Sequence, residues 1–392
     1  MSGATQESIE RVIEASTRTA RCWRGLAMRL HEKPEIGLKE HDAAQWLCEQ
    51  LETEGFEIQR EVAELPTAFV ATRGSSGAPL CVGFLAEYDA LPELGHACGH
   101  NLIAGVAGLA AVCCAEAAPD RARVLVVGCP AEESYGGKVQ LVDKGVFESV
   151  DFALMAHGHR MYLPSRRASG RRSLVLEFHG RPAHAAAAPS YGINALDAMI
   201  QTFNAVAALR QQLPDEARVH GIITHGGTAA NIIPDYTRAE MFVRSHDLEY
   251  LDQLEQRVRA CARGAAEATG CTLEVSSMAL PMQPVRHNPT LEQRYEHNVK
   301  LLGQTVGDLP AEEGIGSTDF GNVSQVIPAL HAYFKVADDV QLHTRQFAEA
   351  AATDAALDHM VVAAQALALT ALDIIEDGDL ATQARQDFQR GG

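Results

Sequence analysis

The sequence lacks the features of a nucleic-acid-binding or membrane protein. Its 33 lysines and arginines are outnumbered by 51 aspartates and glutamates, which gives a formal charge of -18. That charge repels phosphate backbones and anionic lipid surfaces. The N-terminus has no basic stretch followed by an apolar one, and no apolar run of about 18 residues free of charge occurs. We therefore expect no nucleic-acid partner, no membrane association and a cytoplasmic location.

The sequence also lacks internal repeats, low-complexity tracts and the cysteine pattern of a disulfide framework. Its nine cysteines are an odd number, and most stand in apolar stretches, which fits reduced, buried thiols. With 392 residues, 46% of them apolar, the chain can bury cores in roughly two domains. The last residues, about twelve in number, are polar, and we expect them to fray.

Apolar runs alternate with amphipathic patterns in the first half of the chain. Strands are predicted at 80–86, 124–129 and 152–156, with helices at about 100–117 and 136–147 between them. This alternation is typical of an α/β domain, a mixed sheet flanked by helices. Ligands of such sheets bind outside the carboxyl ends of the strands, so polar residues just after these runs are candidates for a site.

A different pattern separates this part from the end of the chain. The basic stretch 160–172 has no clear period and predicts a crossing between domains. The strands and helices after it form two β-α-β units, which indicates a ferredoxin-like α+β domain. Helices and a strand then resume, ending with one long helix at 346–373. We therefore predict a discontinuous larger domain, residues 1–170 and 284–392, with a smaller domain, residues 171–283, inserted between its parts.

Side chains that can bind metal ions follow the predicted strands or lie close to them. They are Cys98, His100, Glu132, Glu133, His157 and His343. Thiolate, imidazole and carboxylate groups gathered at one edge of a sheet can bind divalent ions. The adjacent acids Glu132 and Glu133 follow a buried strand, where they are costly unless a positive group lies beside them. The alternatives are a buried cysteine with a helix-capping histidine, a solvated acid pair and ordinary surface histidines.

Several motifs, taken in chain order, resemble one known family. They are HEKPEIGL at 31–38, EYDALP followed by HACGH, PAEES, MAHG, FHGRPAHAAAAP, GGTAANIIPD, FVRSHD, GSTDFGNVS and QLHT. The resemblance extends from about residue 25 to about residue 350. It is to the dinuclear metallo-aminoacylase and carboxypeptidase family, which includes hippurate hydrolase, indole-3-acetyl-amino acid hydrolase and p-aminobenzoyl-glutamate hydrolase. It implies a zinc-peptidase-like catalytic domain with an inserted lid and dimerisation domain.

The resemblance implies a metal centre with two divalent ions, manganese or zinc, for which cobalt or nickel are also possible. Its ligands are expected to be Cys98, His100, Glu133, His157 and His343, and its general base Glu132. The residues alone leave Glu132 and Glu133 interchangeable, because two neighbouring carboxylates can play either part. Asp89 is expected to orient a ligand, and His96 is expected to be structural.

The inserted domain is also expected to contribute to the site. In the family, a histidine in a motif like GRPAHAAAAP stabilises the oxyanion in the active site of a dimer mate. This assigns that role to His184 and implies a homodimer formed through the lid domain. Asn231 and Arg244 match residues that hold the substrate's carboxylate, for which a planar guanidinium is suited. A solvent-facing strand position is the alternative for Arg244, and contacts of His225 and the basic run 166–172 with substrate stay open.

The implied activity is hydrolysis of the amide bond of N-acyl-amino acids or dipeptide-like substrates by a metal-activated water, with Glu132 as general base. Asn101 follows the CGH motif where hippurate and auxin-conjugate hydrolases usually have Asp. Together with EYDALP, this residue is more similar to p-aminobenzoyl-glutamate hydrolase and the dipeptidase-like members. The alternative is therefore p-aminobenzoyl-glutamate-type or dipeptide carboxypeptidase specificity.

Other functions agree less well with the sequence. A zinc deaminase carries H-x-E followed by P-C-x-x-C, which this chain lacks. A cysteine hydrolase with Cys98 as its nucleophile needs no metal, so a chelator distinguishes it. A non-catalytic metal-binding protein of the same fold is a remote alternative, against which the complete set of ligands and the base argues.

Overall fold

The structure, a computed structural model, describes residues 3–309 and 316–391. The chain forms two compact units. Unit 1 comprises Met1–Arg166, Arg286–Gly314 and Asp319–Gly392, and unit 2 comprises Arg167–Val285 and Ile315–Thr318. The two main divisions thus fall at 166/167 and 285/286, where the sequence pattern predicts 170/171 and 283/284. A short segment ending at Thr318 belongs to unit 2, and no sequence pattern predicts it.

Unit 1 is built on a six-stranded mixed sheet. Its strands are β1 (Glu57–Arg60), β2 (Phe69–Arg73), β3 (Cys81–Glu87), β4 (Arg123–Cys129), β5 (Phe152–His159) and β10 (Ala329–Lys335). In the sheet order β1-β2-β4-β3-β5-β10, the last four strands are parallel, and β1 and β2 are antiparallel to their neighbours. The parallel strands are mostly apolar and buried, as expected when helices cover both faces. The predicted α/β domain is confirmed.

Helices pack around this sheet. They are α1 (Gln6–Glu32), α2 (His41–Thr53), α3 (His100–Ala117), α4 (Gly137–Asp143), α7 (Pro289–Leu301), α8 (Phe320–Val326), α9 (Arg345–Ala350), α10 (Asp354–Glu376) and α11 (Gly378–Arg390). Helix α3 is buried almost all round and packs against α1 and α10. Both α3 and α10 are long and apolar enough to cross a membrane, but most of each lies buried inside the protein, as in ordinary core helices.

Unit 2 is a four-stranded antiparallel sheet with two helices. Its elements, in chain order, are β6 (Gly170–His179), α5 (Ala195–Arg210), β7 (Arg218–His225), β8 (Tyr236–Ser245), α6 (Leu248–Thr269) and β9 (Thr272–Ser276). The sheet order is β7-β8-β6-β9. Alternate strand residues such as Leu174, Leu176, Met241 and Val243 form a buried core with residues of both helices. This β-α-β-β-α-β order confirms the predicted ferredoxin-like domain.

The prediction that the C-terminal residues fray is wrong. Residues Gly378–Arg390 form α11, whose first N–H groups are capped by the Asp377 side chain. Leu380, Ala381 and Ala384 are buried on one face of this helix. One leucine and two alanines make a narrow apolar stripe, which gives only a weak signal in an otherwise polar stretch.

Two predicted helices differ in extent from the observed ones. The single helix predicted at 346–373 is divided, because α9 ends at Ala350 and the Thr353 side chain caps the start of α10. The helix predicted at 136–147 ends earlier, before Gly145, which has a left-handed backbone with φ of 77°. Strands β1 and β2 and helix α8 have no counterpart among the predicted elements. Among these elements, α4 and the start of α8 lie near the strand ends that carry the site.

Candidate metal centre

The carboxyl ends of three neighbouring strands meet at one edge of the unit 1 sheet. Strands β4, β3 and β5 are parallel, and Glu87 at the end of β3 is paired with Cys129 at the end of β4. His157 lies near the end of β5, and Glu132 and Glu133 follow β4. Ligand sites of open α/β sheets lie at this edge. The predicted metal ligands therefore have the position that the fold favours.

Cys98 lies among the other predicted ligands. Its Sγ is 3.7 Å from Nε2 of His157 and 3.4 Å from Nε2 of His343. Nε2 of His343 lies in turn 3.5 Å from Oε1 of Glu133. Two donors bound to one tetrahedral ion, at bond lengths of roughly 2.0–2.3 Å, stand about 3.3–3.8 Å apart. The observed distances therefore match those of ligands that share an ion.

Cys98 belongs to two groups of three donors. The His157 group consists of Cys98, His100 and His157, and the His343 group consists of Cys98, Glu133 and His343. Within each group the donor atoms lie within 4.8 Å of one another. Because a thiolate sulfur has several lone pairs, it can serve both groups. The cluster thus offers two candidate ion positions that share one sulfur.

Two of the histidines present a defined nitrogen to this cluster. Nδ1 of His100 lies 2.9 Å from both Oδ1 and the carbonyl oxygen of Asp89, so Nδ1 carries the proton and Nε2 is the free donor atom. The other carboxylate oxygen of Asp89 accepts the backbone N–H of Glu133 at 3.0 Å. Nδ1 of His157 similarly lies 2.8 Å from the carbonyl of Gly158, which leaves its Nε2 for Cys98. Asp89 thus lies where an orienting residue acts.

Left-handed backbone conformations set the positions of Glu132 and His343. Ala131, directly before Glu132, has φ of 58°, and His343 has φ of 62°, a region that residues with a Cβ rarely adopt. The N–H of Ala131 donates to the buried carboxyl group of Glu40 at 2.8 Å. The N–H of His343 donates to the carbonyl of Ala97 at 2.9 Å. These hydrogen bonds help to hold both strained turns in place.

The donor set fits a divalent cation. Among the residues that the structure describes, the buried atoms Nε2 of His100 and Oε1 of Glu133 have no hydrogen-bond partner. Burial, and after it the charge of Glu133, raises the pKa of the Cys98 thiol well above its ordinary value. A thiolate at this position therefore requires a cation beside it. Buried donors that a cation would satisfy are what distinguish a metal centre from a structural polar cluster.

Known proteins are similar to this chain over nearly its whole length. A family described as a peptidase dimerisation domain matches residues 167–269. The Xaa-Arg dipeptidase of Mus musculus is 40% identical, over 98% of this chain and 92% of the relative. The chain belongs to the M20 peptidase family. The Xaa-Arg dipeptidase of Homo sapiens is 37% identical over 97% and 91%, and a p-aminobenzoyl-glutamate hydrolase polypeptide of Escherichia coli is 28% identical over 93% and 91%.

Solved structures share the fold of this M20 peptidase. A dinuclear metal-binding peptidase of the M20 family from Bacillus subtilis has a TM-score of 0.70 at 20% identity, covering 92% of this chain and 99% of that one. An aminobenzoyl-glutamate utilization protein from Klebsiella pneumoniae has a TM-score of 0.71 at 19% identity, covering 92% and 98%. At such identities the likeness shows the fold alone. The predicted family and the predicted enzyme class, a hydrolase of amide or peptide bonds, are confirmed.

The two adjacent carboxyl groups of this M20 peptidase differ in proton affinity. Burial raises the pKa of Glu132 well above its ordinary value, and the charges of Glu87 and Glu133 raise it further. Burial also acts to raise the pKa of Glu133, but the imidazole of His343, 3.5 Å away, and the charge of His100 lower it to about 2. Glu133 is therefore ionised, as a metal ligand must be, whereas Glu132 tends to hold a proton. The sequence alone cannot separate the two.

Three buried charged residues beside the cluster are missing from the predicted site. Nζ of Lys138 lies 2.5 Å from Oε1 of Glu87 and 2.6 Å from Oδ1 of Asp319. The backbone N–H of Lys138 also donates to Oδ2 of Asp319 at 2.9 Å. All three side chains are fully buried. Asp319 stands in the GSTDF motif and Glu87 ends a predicted strand, but a single lysine at the start of a helix gives no signal of such a role.

Two other residues of the HACGHN motif make structural contacts. Nε2 of His96 lies 3.1 Å from the carbonyl of Leu30, and burial lowers the His96 pKa to about 3. His96 is in neither donor group. The amide of Asn101 donates to the carbonyls of Ala27 and Ala351, each at 3.2 Å. Asn101 thereby ties the start of α3 to α1 and to the end of α9.

The predicted residues His184 and Asn231 lie on adjoining exposed loops of unit 2. The N–H of Ala185 donates to the carbonyl of Asn231 at 3.0 Å. Nδ1 of His184 accepts the N–H groups of Ala186 and Ala187 at 3.2 and 3.1 Å. Since an acceptor nitrogen carries no proton, the proton of the neutral ring is on Nε2. The exposed ring of His184 therefore presents an N–H donor.

Arg244 lies on β8 of unit 2 and is half-buried rather than solvent-facing. Its Nη1 donates to Oγ of Ser317 at 3.0 Å, and its buried Nε has no hydrogen-bond partner among the described residues. Ser317 belongs to the short segment that joins unit 2 from the later part of the chain. One edge of the Arg244 guanidinium is therefore hydrogen-bonded through Nη1, and its Nε–H is a donor without a partner among the described residues.

The features left open by the sequence have structural partners in unit 2. The ring of His225 lies 5.4 Å from that of Tyr236. Arg172, from the basic run, forms ion pairs with Asp252 at 2.6 Å and with Glu255 at 3.5 Å. Both His225 and Arg172 thus contact neighbouring side chains of unit 2.

Proposed function

We propose that this protein is a metal-dependent dipeptidase that hydrolyses the amide bond of dipeptides and related N-acyl-amino acids. The observation that carries the proposal is the Cys98 cluster, in which sulfur and imidazole donors lie 3.4 and 3.7 Å apart. The carboxyl group of Glu132 lies within 4.8 Å of donor atoms of His100 and Glu133. Near full-length relatives named as dipeptidases support the same conclusion.

Two divalent ions are the proposed cofactors. Manganese and zinc suit the mixed sulfur, nitrogen and oxygen donors, as do cobalt and nickel. The His157 group would hold one ion and the His343 group the other, with Cys98 shared between them. When bound, such ions polarise the scissile carbonyl and lower the pKa of water. Asp89 keeps Nε2 of His100 directed at the site and fixes the backbone of Glu133.

Glu132 is the proposed general base. In its ionised form, which bound cations beside it would favour, it accepts a proton from the attacking water and later delivers it to the leaving amine. A carboxyl group with a raised pKa is suited to this double role. Its place is fixed from both sides, because Ala131 before it is held by Glu40 and Glu133 after it is held by Asp89.

We further propose a homodimer formed through unit 2, in which His184 acts in the partner's active site. The dimerisation-domain match covers most of unit 2. Its edge strand β7 exposes Ile222 and Ile223, by 63% and 40%, and such an edge is a ready template for pairing with another strand. Nε2–H of His184 is a donor of the kind that stabilises an oxyanion.

Arg244 is proposed to bind the carboxylate of the substrate's C-terminal amino acid. The unpaired Nε and the contact of Nη1 with Ser317 support this role, because a guanidinium that is held at one edge keeps a fixed direction at the other. The planar fork binds a carboxylate through two parallel hydrogen bonds. A dipeptide carries such a carboxylate next to the scissile bond.

The relatives indicate which substrates to test first. Dipeptides with a C-terminal arginine come first, after the name of the mouse and human relatives. p-Aminobenzoyl-glutamate comes second, after the Escherichia coli relative. We also propose a cytoplasmic location, which the free state of all nine cysteines supports.

A hydrolysis screen with metal add-back tests the proposal. Chelator-treated protein is reloaded with Mn²⁺, Zn²⁺, Co²⁺ or Ni²⁺ and incubated with Xaa-Arg dipeptides, N-acyl-amino acids and p-aminobenzoyl-glutamate. We expect metal-dependent release of a free amino acid, and we expect Glu132→Gln to lower kcat by about 10²–10⁴-fold at unchanged metal content. Full activity of the stripped protein, or of Glu132→Gln, contradicts the proposal.

A further inference from the structure

Glu87 lies outside the predicted ligand set, yet it faces the cluster. Its Oε2 is 3.4 Å from Nε2 of His100. Both side chains are fully buried, and among the described residues neither of these two atoms has a hydrogen-bond partner. A separation of 3.4 Å also falls within the range of about 3.3–3.8 Å for donors of one tetrahedral ion. Two unpaired buried atoms thus point to a common ligand.

The neighbours of Glu87 include more buried acids than bases. Oε1 of Glu87 is paired with Nζ of Lys138, and the same ammonium is paired with Asp319. One ammonium therefore serves two carboxyl groups, and Glu132 is a third acid with an oxygen within 4.8 Å of both. Removing a charge from water without a partner is strongly unfavourable. A cation beside Oε2 of Glu87 would restore the balance.

The same ion pairs fix the direction of the free oxygen. Asp319 binds both the ammonium and the backbone N–H of Lys138, so the lysine is held at two points. Lys138 in turn holds Oε1 of Glu87 at 2.5 Å. With one carboxylate oxygen fixed, the other can face only the side on which Nε2 of His100 lies. A preset oxygen of this kind is what a metal ligand requires.

We propose that Glu87 is a ligand of the ion at the His157 group and binds it through Oε2. The inference rests on the proposed metal centre. This ion would then have four protein donors, Cys98, His100, His157 and Glu87, whereas the ion at the His343 group would have three.

The competing explanation is a plain ion pair between Glu87 and a doubly protonated His100. In that case Nε2 of His100 carries a proton and binds no ion. Metal binding by variants distinguishes the two explanations, because only a ligand affects the affinity for one ion while the other ion stays bound.

The experiment compares Zn²⁺ binding by the stripped wild-type protein, Glu87→Gln and Asp151→Asn in competition with a chromophoric chelator. Asp151→Asn is the matched control, since it removes an acid that also pairs with a base, Arg385, but at the opposite end of β3 from Glu87. We expect the wild type to bind two ions, Glu87→Gln to lose more than about 100-fold in affinity for one of them, and Asp151→Asn to stay within about threefold. The visible spectrum of the Co²⁺-loaded protein should change in Glu87→Gln alone.

The outcomes separate this inference from the proposed function. A wild type that binds no ion overturns both. If the wild type and Glu87→Gln bind two ions equally tightly, only the role of Glu87 is overturned. An equal loss of affinity in Asp151→Asn overturns that role as well. If Glu87→Gln does not fold, as judged by circular dichroism, Glu87→Asp replaces it. That variant keeps the charge for Lys138 but withdraws the oxygen by one methylene, and unchanged Zn²⁺ affinity in it contradicts the inference.

Discussion

The Asp89 carboxylate lies 2.9 Å from Nδ1 of His100, on the opposite side of the ring from the proposed metal donor Nε2. Its second oxygen accepts the N–H of Glu133 at 3.0 Å. His100 begins α3 and Glu133 follows β4, so one carboxylate aligns two segments that are distant in the chain. Partners of this kind fix the tautomer of a ligand and raise its basicity.

Asp89→Asn is therefore expected to weaken metal binding by about 10–100-fold. An amide has one acceptor oxygen, so it cannot serve both Nδ1–H of His100 and the N–H of Glu133. Chelator competition with the stripped protein measures the effect. Asp151→Asn is a suitable control, because Asp151 accepts the N–H of Cys81 and pairs with Arg385 at the other end of β3. Equal metal affinity in the wild type and Asp89→Asn would show that Asp89 does not orient a ligand.

Mixing two inactive variants tests the shared active site. His184→Ala and Glu132→Gln are each expected to lose most activity. The first variant lacks the proposed oxyanion donor, and the second lacks the proposed general base. In a heterodimer, one of the two sites combines an intact Glu132 with an intact His184 from the partner. Random exchange of a two-fold dimer then restores about one quarter of the wild-type rate, measured by dipeptide hydrolysis.

The control for this mixing experiment uses two changes in unit 1. Glu132→Gln mixed with His157→Ala leaves every site defective, so no activity should return. Heterodimers that form, as shown by mass spectrometry, but stay inactive in the His184→Ala mixture contradict a site shared between subunits.

Much of the fold could be predicted because its signals are local. Apolar runs that alternate with helical patterns indicate the α/β sheet, and polar residues at the ends of those runs indicate the edge that carries the site. The ion pairs of Lys138 could not be predicted in the same way. Lys138 and Asp319 are 181 positions apart in the chain, and a pairing over that distance leaves no periodic pattern. Helix α11 gives only a weak signal, because its buried face consists of one leucine and two alanines.

The packing of α3 against α1 gives a test of the core. A Cβ built at Gly108 lies 2.0 Å from the ring of Trp23, which is fully buried. Gly108→Ala should therefore lower the free energy of unfolding by about 1–3 kcal/mol through overpacking. Gly25→Ala is the matched control in α1, since a Cβ there meets no atom within 4 Å. It should raise stability by about 0.5–1 kcal/mol. Urea unfolding measures both changes, and a stabilised Gly108→Ala contradicts the close contact.

The buried carboxyl group of Glu40 predicts how stability depends on pH. Burial, followed by the charge of Asp89, raises the Glu40 pKa from its ordinary 4.5 to about 7. Between these values the folded protein holds a proton that the unfolded chain releases. The contribution of Glu40 to stability is therefore fully present below pH 4.5 and is lost as the pH rises to about 7, a change of about 3 kcal/mol.

Glu40→Gln isolates the contribution of Glu40 to the pH dependence of stability, because the amide stays neutral at every pH and has nearly the shape of the protonated acid. The free energy of unfolding of the wild type, minus that of Glu40→Gln, should fall by about 2–3 kcal/mol between pH 5 and pH 8. Urea unfolding in the presence of a chelator measures this difference without a contribution from metal release. Glu49→Gln, at an exposed position of α2, is the matched control for the substitution itself. If the difference between the wild type and Glu40→Gln is independent of pH, Glu40 is ionised in the folded protein. The N–H of Ala131, before Glu132, would then donate to a charged carboxylate.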